Sequence, residues 1–562
     1  MNKEETLALY AQGREAWNAW AEEMLAKKRA LEEAGEWVDE VWEHHWNDAT
    51  RNWQEAATAD FDEHRFEGAT DFHELTFPGD ARFGGATFED DARFDGATFE
   101  GDARFLDATF EDDARFVDAT FERDARFVDA TFERDARFFD ATFEGNTWFD
   151  GATFEDDARF NRATFEDNAQ FLNTTFERDA GFDGATFSGN ARFNRATFED
   201  DARFVDATFE RDARFDGATF SGTAWFDGAT FEDDARFGGA TFEDDARFGG
   251  ATFEGNTWFD GATFEDDARF SLAAFRGYSS FLKSELYGKA EFIAVRSESA
   301  FTLAGARFWQ VPDFEQAHFD EAPRLDNLRI EPGRFLSGIF GLVKKSVNRD
   351  RESLRAAFHV DPDLPARWRS LKRLAVQAHD HAREQEFFRG EIIARRFCED
   401  KPWHGVFWAG LAYQALSDFG RSIKWPTIWL TIVTAVFSLL YLGPHLDRSG
   451  RAQSGFGWAA ERMSTDNPAS LTCINGAGSP ELAAIQLSVR RALLLPGLNA
   501  DGALNQIYAC LYGVDSRDPQ PAGKLVPPFR PRIPDSVSLL GLVQVPVSLA
   551  LIFLLLLALR NH

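Results

Sequence analysis

Ala92-Arg93-Phe94-Asp95-Gly96-Ala97-Thr98-Phe99-Glu100-Gly101-Asp102 is one unit of a pattern that fills much of the first half of this chain. The next unit, Ala103-Arg104-Phe105-Leu106-Asp107-Ala108-Thr109-Phe110-Glu111-Asp112-Asp113, repeats it eleven residues on. One Phe series starts at Phe61 and recurs at every eleventh position to Phe292; a second runs in the same way from Phe66 to Phe275. The two series interleave at spacings of five and six. Self-similarity at a fixed period marks a solenoid and outranks local propensity.

Within each half-unit the order is Ala, one polar residue, Phe. Three extended residues put the first and third on one face and the second on the other. Ala92 and Phe94 therefore point inward and Arg93 outward. The two or three small or acidic residues that follow turn a corner, and Asp-Gly or Gly-Gly there suits a tight turn. A helix is the poorer alternative, because spacings of five and six scatter Phe around it and Gly recurs at Gly84, Gly85, Gly96 and Gly101.

The block Ala-x-Phe-x-x resembles the pentapeptide-repeat family, whose five-residue units place a small residue two before a central Leu or Phe. The resemblance implies a mainly β fold, a right-handed four-sided β-helix with four units per coil. Here every second unit has six residues, as in Glu89-Asp90-Asp91, so the expected coil is 22 residues. An 11-residue, two-faced coil is the rival packing; its interior would be very thin. About 12 coils at roughly 4.8 Å predict a rod about 55–60 Å long.

The 562 residues hold 59 Phe but only 7 Tyr and 3 Met, so the aromatic content is periodic and not that of a mixed core. A net charge of -34 disfavours contact with nucleic-acid phosphates and favours basic surfaces or a well-solvated exterior. The segment MNKEETLALY contains no apolar run of signal-peptide type. The repeats carry no cysteine; the chain's three are Cys398, Cys473 and Cys510.

In a 22-residue coil the outward residues stack in ladders: Arg93, Arg115, Arg137 and Arg159 on one face, Thr98, Thr120, Thr142 and Thr164 on the next. Stacked Arg repel unless carboxylates lie between them, so Arg and acid are expected to compensate each other. Trp148, Trp225 and Trp258 replace Arg at outward positions, with Trp148 and Trp258 on the same face. They are the candidate partner contacts; packing beneath flanking helices is the alternative. A Thr ladder that binds ice is the least supported use of the surface.

Residues 1–58 read as a helical cap, from Trp17, Trp20, Met24 and Leu31, then Trp37, Val41, Trp42 and Trp46. The β-helix is assigned to 59–322, with Pro312, Pro323 and Pro332 marking its exit, and a charged helical linker to 323–400. His379, Asp380, His381 and Glu384 look like metal ligands, but His379 and His381 do not share a helix face, and no metal, cofactor or catalytic residue is assigned. Residues 401–562 read as a membrane domain, with spans at about 425–443 and 537–559 and an outer loop at 444–536. The stretch from Trp403 to Phe419 suits an interface. A short helix is expected from Glu481 to Leu495. Cys473 and Cys510 are the candidate disulfide of the loop.

Arg421, Lys424 and Arg560 flank the spans and place both termini in the cytoplasm of a bacterial-type inner (cell) membrane. Helical linkers and chain endings like these resemble related bacterial proteins that join repeats to a membrane part. The function expected is a membrane-anchored scaffold whose acidic rod binds a protein, and not an enzyme. A channel-like two-span protein regulated by the rod is the alternative, although no Thr-Val-Gly-Tyr-Gly filter follows the short helix and the spans show no polar pore lining. A DNA-mimicking rod that binds a DNA-handling enzyme is third.

Overall fold

The computed structural model describes residues 1–38, 47–331, 361–400, 403–419, 422–449, 479–493, 501–512, 533 and 535–560. It divides into two compact units, Met1–Ala394 and Arg395–His562.

The first unit is a parallel β-solenoid of four sheets with 12, 13, 11 and 12 strands. Each strand has two residues and pairs with the strand one coil away. Ala92 lies opposite Ala114 and Arg93 opposite Arg115, while Arg104 lies in a different sheet opposite Arg126. The coil is therefore 22 residues and four-sided, and the 11-residue packing is excluded. Corners alternate in kind. The five-residue units close as β-turns, in which the Ala97 N–H donates to Phe94 O at 3.1 Å. The third turn residue is left-handed, with φ 61° at Gly96. Glycine is not required there: Asp107 (φ 53°), Asn173 (φ 55°) and Arg162 (φ 58°) occupy the same corner position.

Each coil sends four Phe inward, and mid-rod these are fully buried. Phe83 stacks on Phe105, the ring above it, at 4.7 Å and 1°. It meets Phe94 of its own coil edge-to-face at 5.6 Å and 88°. The 4.7 Å ring spacing matches the inter-strand spacing that backbone hydrogen bonds impose, so ladder and core share one repeat. Burial contributes roughly 1.5–3 kcal/mol per Phe, and each aromatic pair about 0.5–1.5 kcal/mol beyond it.

Helices cover the N-terminal end. α1 (Lys3–Tyr10), α2 (Arg14–Glu33) and α3 (Asp48–Ala57) precede the first strand. The Trp17 indole donates to Thr76 O at 2.9 Å, and the Tyr10 ring stacks on Phe72 at 4.8 Å. Both shield Phe61, which would otherwise face water. Trp37 is not helical, and Val41, Trp42 and Trp46 lie outside the described residues.

Strand pairing continues to Arg329–Ile330, opposite Arg307–Phe308, eight residues past the sequence-based limit of 322. Leu325 and Leu328 take over the inward positions, so the exit is less abrupt than its prolines suggest. The helices beyond do more than link. α4 (Leu364–Gln377) and α5 (His381–Cys398) follow. Trp368, Leu371, Leu374, Ala375 and Phe387 join the same apolar core as the Phe columns. Gln377 Nε2 donates to Phe319 O at 2.7 Å, and the buried Arg367 guanidinium lies 3.1 Å from Asp361. Gly390 allows α5 to close on α4, since a Cβ there would meet Trp368 Cδ2 at 2.5 Å. Residues 332–360 of the expected helical linker lie outside the described residues.

In the second unit, α6 (Gly405–Ser417), α7 (Lys424–Ser449), α8 (Pro480–Leu493), α9 (Asp501–Tyr512) and α10 (Asp535–Arg560) are described. Lys424–Gly443 and Asp535–Leu559 are long and apolar enough to cross a membrane. The two apolar helices carry buried polar groups that the sequence analysis does not single out. Gln544 is fully buried. It donates to Ser488 O at 2.9 Å and accepts from the Tyr441 hydroxyl at 2.8 Å. The Ser488 hydroxyl in turn donates to Thr434 O at 2.8 Å. α8 is therefore bonded to both apolar helices, midway along the first and in the first half of the second. Such groups avoid the helix surface because each would be an unsatisfied donor or acceptor in an apolar medium.

Phe182 is fully buried and stacks on Phe160 and Phe204. Phe182→Ala is expected to cost about 3–5 kcal/mol locally. Hydrogen exchange should show the loss confined to a few coils around it, because repeat stability is set by nearest neighbours. Global unfolding, or no change in exchange, would contradict this.

Candidate interaction surface of the rod

The outward faces are built from one short motif, Asp-x-Arg. With the middle residue inward, the carboxylate and guanidinium two apart both face out and meet. Arg126 Nη2 lies 2.7 Å from Asp124, and its Nη1 lies 3.4 Å from Asp102 of the coil before. Arg137 bridges Asp135 at 2.8 Å and Asp113 at 3.1 Å. Arg104, Arg126, Arg137 and Arg269 are each interposed between the acids of two successive coils, as expected from charge alternation. Pairs this exposed contribute about 0–1 kcal/mol each, so they relieve repulsion more than they stabilise.

The motif changes as a unit. Where Arg gives way to Trp148, Gln170, Trp225, Trp258 or Ser280, the residue two before it is Asn146, Asn168, Thr223, Asn256 or Tyr278 and never an acid. At Lys289 and Glu291 the signs are exchanged and the pair persists. The neutral stretch forms its own ladder: Asn168 Nδ2 donates to Asn146 Oδ1 at 2.9 Å, and Asn190 Nδ2 to Asn168 Oδ1 at 2.7 Å. This pairwise substitution is visible in the sequence, but only after the coil length tells which residues meet. Sequence reasoning missed it. Two coils break the rule, Asn190 with Arg192 and Asp179 with Gly181.

The three tryptophans lie within the ladders, half-buried. Trp148 and Trp258 share one sheet, and Trp225 belongs to another. Arg126 lies 5.2 Å from the Trp148 ring centre and Arg236 5.0 Å from that of Trp258. Trp225 sits between Arg203 at 5.9 Å and Arg247 at 3.9 Å. Cation–π contact thus replaces the ion pair where the acid is absent. It accounts for these rings as ladder residues, and the indole N–H of Trp225 is buried without a partner in the described residues.

Two shallow pockets mark the rod unit. One, of about 270 Å³, lies at the last coil beside Arg329, Arg383 and Glu386. The other, of about 240 Å³, is centred on Gly181 and edged by Phe139, Asp157, Arg159, Asp179 and Arg203. Asp244, Asp245 and Asp266 bring carboxylate oxygens within 4.8 Å of one another on the rod surface; among them Asp245 is engaged by Arg247 and Arg269. The His379 cluster is a helix junction. His379 is the left-handed turn residue, Asp380 accepts from the Arg383 N–H at 3.0 Å, and His381 contacts Glu384 at 3.3 Å. In the second unit Cys510 is disulfide-bonded, and Cys473 lies outside the described residues.

The family model for pentapeptide repeats matches in nine copies that together span residues 57–285. No curated protein and no solved structure compared with the chain matches it significantly.

The ladder electrostatics set a direction for pH dependence. Asp80, Glu100, Asp113, Glu144, Asp150 and Asp179 are pushed above the ordinary carboxylate range, burial being the largest cause in each. Asp140 is held below it by its hydrogen bond from Arg162. Glu391 is also lowered, burial being outweighed by hydrogen bonds from Lys372 and Arg369. A raised group binds its proton more tightly folded than unfolded, so it adds stability as pH falls from its folded to its unfolded pKa. The lowered pair loses stability as pH falls through its folded values. His64 and the Met1 amino group, both lowered first by burial, lose stability as pH falls through the neutral range; below it, with six raised carboxyls against two lowered, Tm of the rod should rise as pH falls to just above the ordinary carboxylate range. Calorimetry across that range checks it; a steady fall in Tm from neutral pH downward would contradict it.

Proposed function

We propose that this chain, whose residues 57–285 are pentapeptide repeats, is a membrane-anchored protein–protein interaction scaffold and not an enzyme. The observation that carries the anchoring is where the large apolar side chains are exposed. Along α7 they are Trp425, Ile428, Ile432, Val436, Leu439 and Leu440; along α10, Leu539, Leu542, Val543, Phe553 and Leu556. Leu542 is 72% exposed, a value suited to lipid and costly in water. The rod contrasts with this: its large apolar residues are almost all inward, and its outer face is charged and regular. Pentapeptide-repeat solenoids are typically structural or interaction proteins, which supports a binding role.

The proposed location is the inner (cell) membrane, with both termini and the rod on the cytoplasmic side. Lys424 at the start of α7 and Arg560 at the end of α10 support that orientation. Between the spans, α8 is lodged against both instead of lying free in an outer loop. At 14 residues it is about 21 Å long, too short to cross a core of about 30 Å. That placement favours, as second reading, a channel-like membrane part regulated by the rod. Against it, Gln544, Ser488 and Tyr441 satisfy one another within a single chain and leave little polar surface to line a pore. The proposed disulfide joins Cys510 to Cys473 on the outer side, an oxidising location in such cells. The DNA-mimic reading is disfavoured by the Arg ladders, which interrupt the acidic surface.

The full chain is expected to remain in membranes after alkaline extraction. A membrane-impermeant thiol reagent on intact cells should label Cys473 and Cys510 only after reduction, and Cys398 not at all. A partner captured by the full chain in detergent should be lost on removal of residues 59–330 and released by raised salt. Labelling of Cys398 from outside would overturn the orientation, and capture that persists without the rod would overturn the scaffold.

A further inference from the structure

We infer that the gap at Gly181 is a docking socket for an arginine side chain exposed on a partner protein. This deepens the scaffold reading above and rests on it. Every other Asp-x-Arg unit in this sheet supplies its own cation, or has lost both partners together. At Asp179 the acid remains and residue 181 has no side chain. The coil before and the coil after keep theirs: Arg159 pairs with Asp157 at 2.7 Å, and Arg203 turns to Asp183 at 3.0 Å. Those two guanidiniums are thus committed. Four carboxylates, Asp157, Asp179, Asp183 and Asp201, face two cations, so the socket is short of positive charge.

The vacant position has a template two coils away. Arg137 stands between Asp135 and Asp113 at 2.8 and 3.1 Å. By the same register, an arginine at 181 would stand between Asp179 and Asp157. A guanidinium entering from outside finds the same two acceptors, with the face of the rod open above them. The space is real, a pocket of about 240 Å³ with Phe139 at its edge. Only the Asn161 side chain intrudes, its Oδ1 lying 2.9 Å from where a Cβ on Gly181 would be. That amide is a flexible end and can turn away. Asp179 is also electrostatically loaded, held above the ordinary carboxylate range first by desolvation and then by Asp157, Asp200 and Asp201. A bound guanidinium relieves that load, and its planar fork suits two carboxylates better than an ammonium does.

The test uses the full chain in detergent and the tripeptide acetyl-Gly-Arg-Gly-amide, with the citrulline tripeptide as neutral isostere. Binding is followed by saturation-transfer NMR and by calorimetry at low salt. The arginine peptide should bind at least tenfold tighter than the citrulline peptide. Asp179→Asn should weaken it at least tenfold, and Gly181→Arg, which restores the motif of the other coils, should abolish it. Asp113→Asn, a charge loss three coils from Asp179 on the same face, should leave it unchanged. Gly181→Arg should unfold no earlier than the parent chain, which separates loss of the socket from loss of the fold. Equal binding of the two peptides, or undiminished binding by Gly181→Arg, would overturn the socket. Capture of a protein partner that needs residues 59–330 but survives Gly181→Arg would leave the scaffold standing and remove this site from it.

Discussion

Parallel pairing between successive coils is the constraint on which the rod depends. Each residue sits directly over its counterpart 22 positions earlier, at the spacing that the backbone hydrogen bonds require. Whatever the chain places at one position, it stacks on a near copy of itself. For Phe this is favourable. Rings one coil apart lie parallel at 4.5–5.1 Å, and rings on opposite faces meet edge-on, so the core needs neither disulfide nor metal. For a charge it is unfavourable, because a like charge is the nearest neighbour above and below.

The outer face is the answer to that second consequence. An acid two residues from an arginine lies level with it on the same strand side, and the guanidinium reaches the acid of its own coil and of the previous one. The ladder is thereby close to neutral along the sheet faces. The excess acid that makes the chain -34 overall lies largely at the six-residue corners. There burial, together with the like charges of Glu122 and Glu166 one coil before and after, raises the carboxyl of Glu144. Charge is thus balanced where strands are packed and left unbalanced where the chain bulges into solvent, which has the dielectric to screen it.

The Phe spacing made the rod readable in advance: fold class, coil length, which residue faces in, and the Arg and Thr ladders. Three things escaped. The small or acidic corner residues are legible, but not that Asn and even Arg162 hold the left-handed position, which the inter-coil hydrogen bonds on either side enforce. The segment after the last regular repeat reads as a linker from its charge and prolines. Trp368 and Leu371 instead cover the exposed end of the core, a role set by what lies opposite them and not by their own spacing. The polar residues of the two apolar helices were passed over, since Gln544 has meaning only beside Ser488 and Tyr441, which are more than fifty residues away in sequence. Pattern carries local periodic structure; it does not carry pairings between distant, non-periodic segments.

In a chain so repetitive, an irregularity is more informative than a motif. A globular fold hides a lost side chain among many unlike neighbours. Here each coil is measured against its own copies, and a change that is only structural has a known signature: both members of the Asp-x-Arg pair change together, as at Asn146 with Trp148 and Thr223 with Trp225. The stability of a repeat array is a sum of local terms, so a single coil can depart from the rule without endangering the rest. Trp148, Trp225 and Trp258 obey the rule and are covered by arginines above or below. Gly181 does not obey it. Its acid stays, its cation is gone, and the neighbouring guanidiniums are already engaged, so the coil that is least satisfied from within is the one best prepared to be completed from outside.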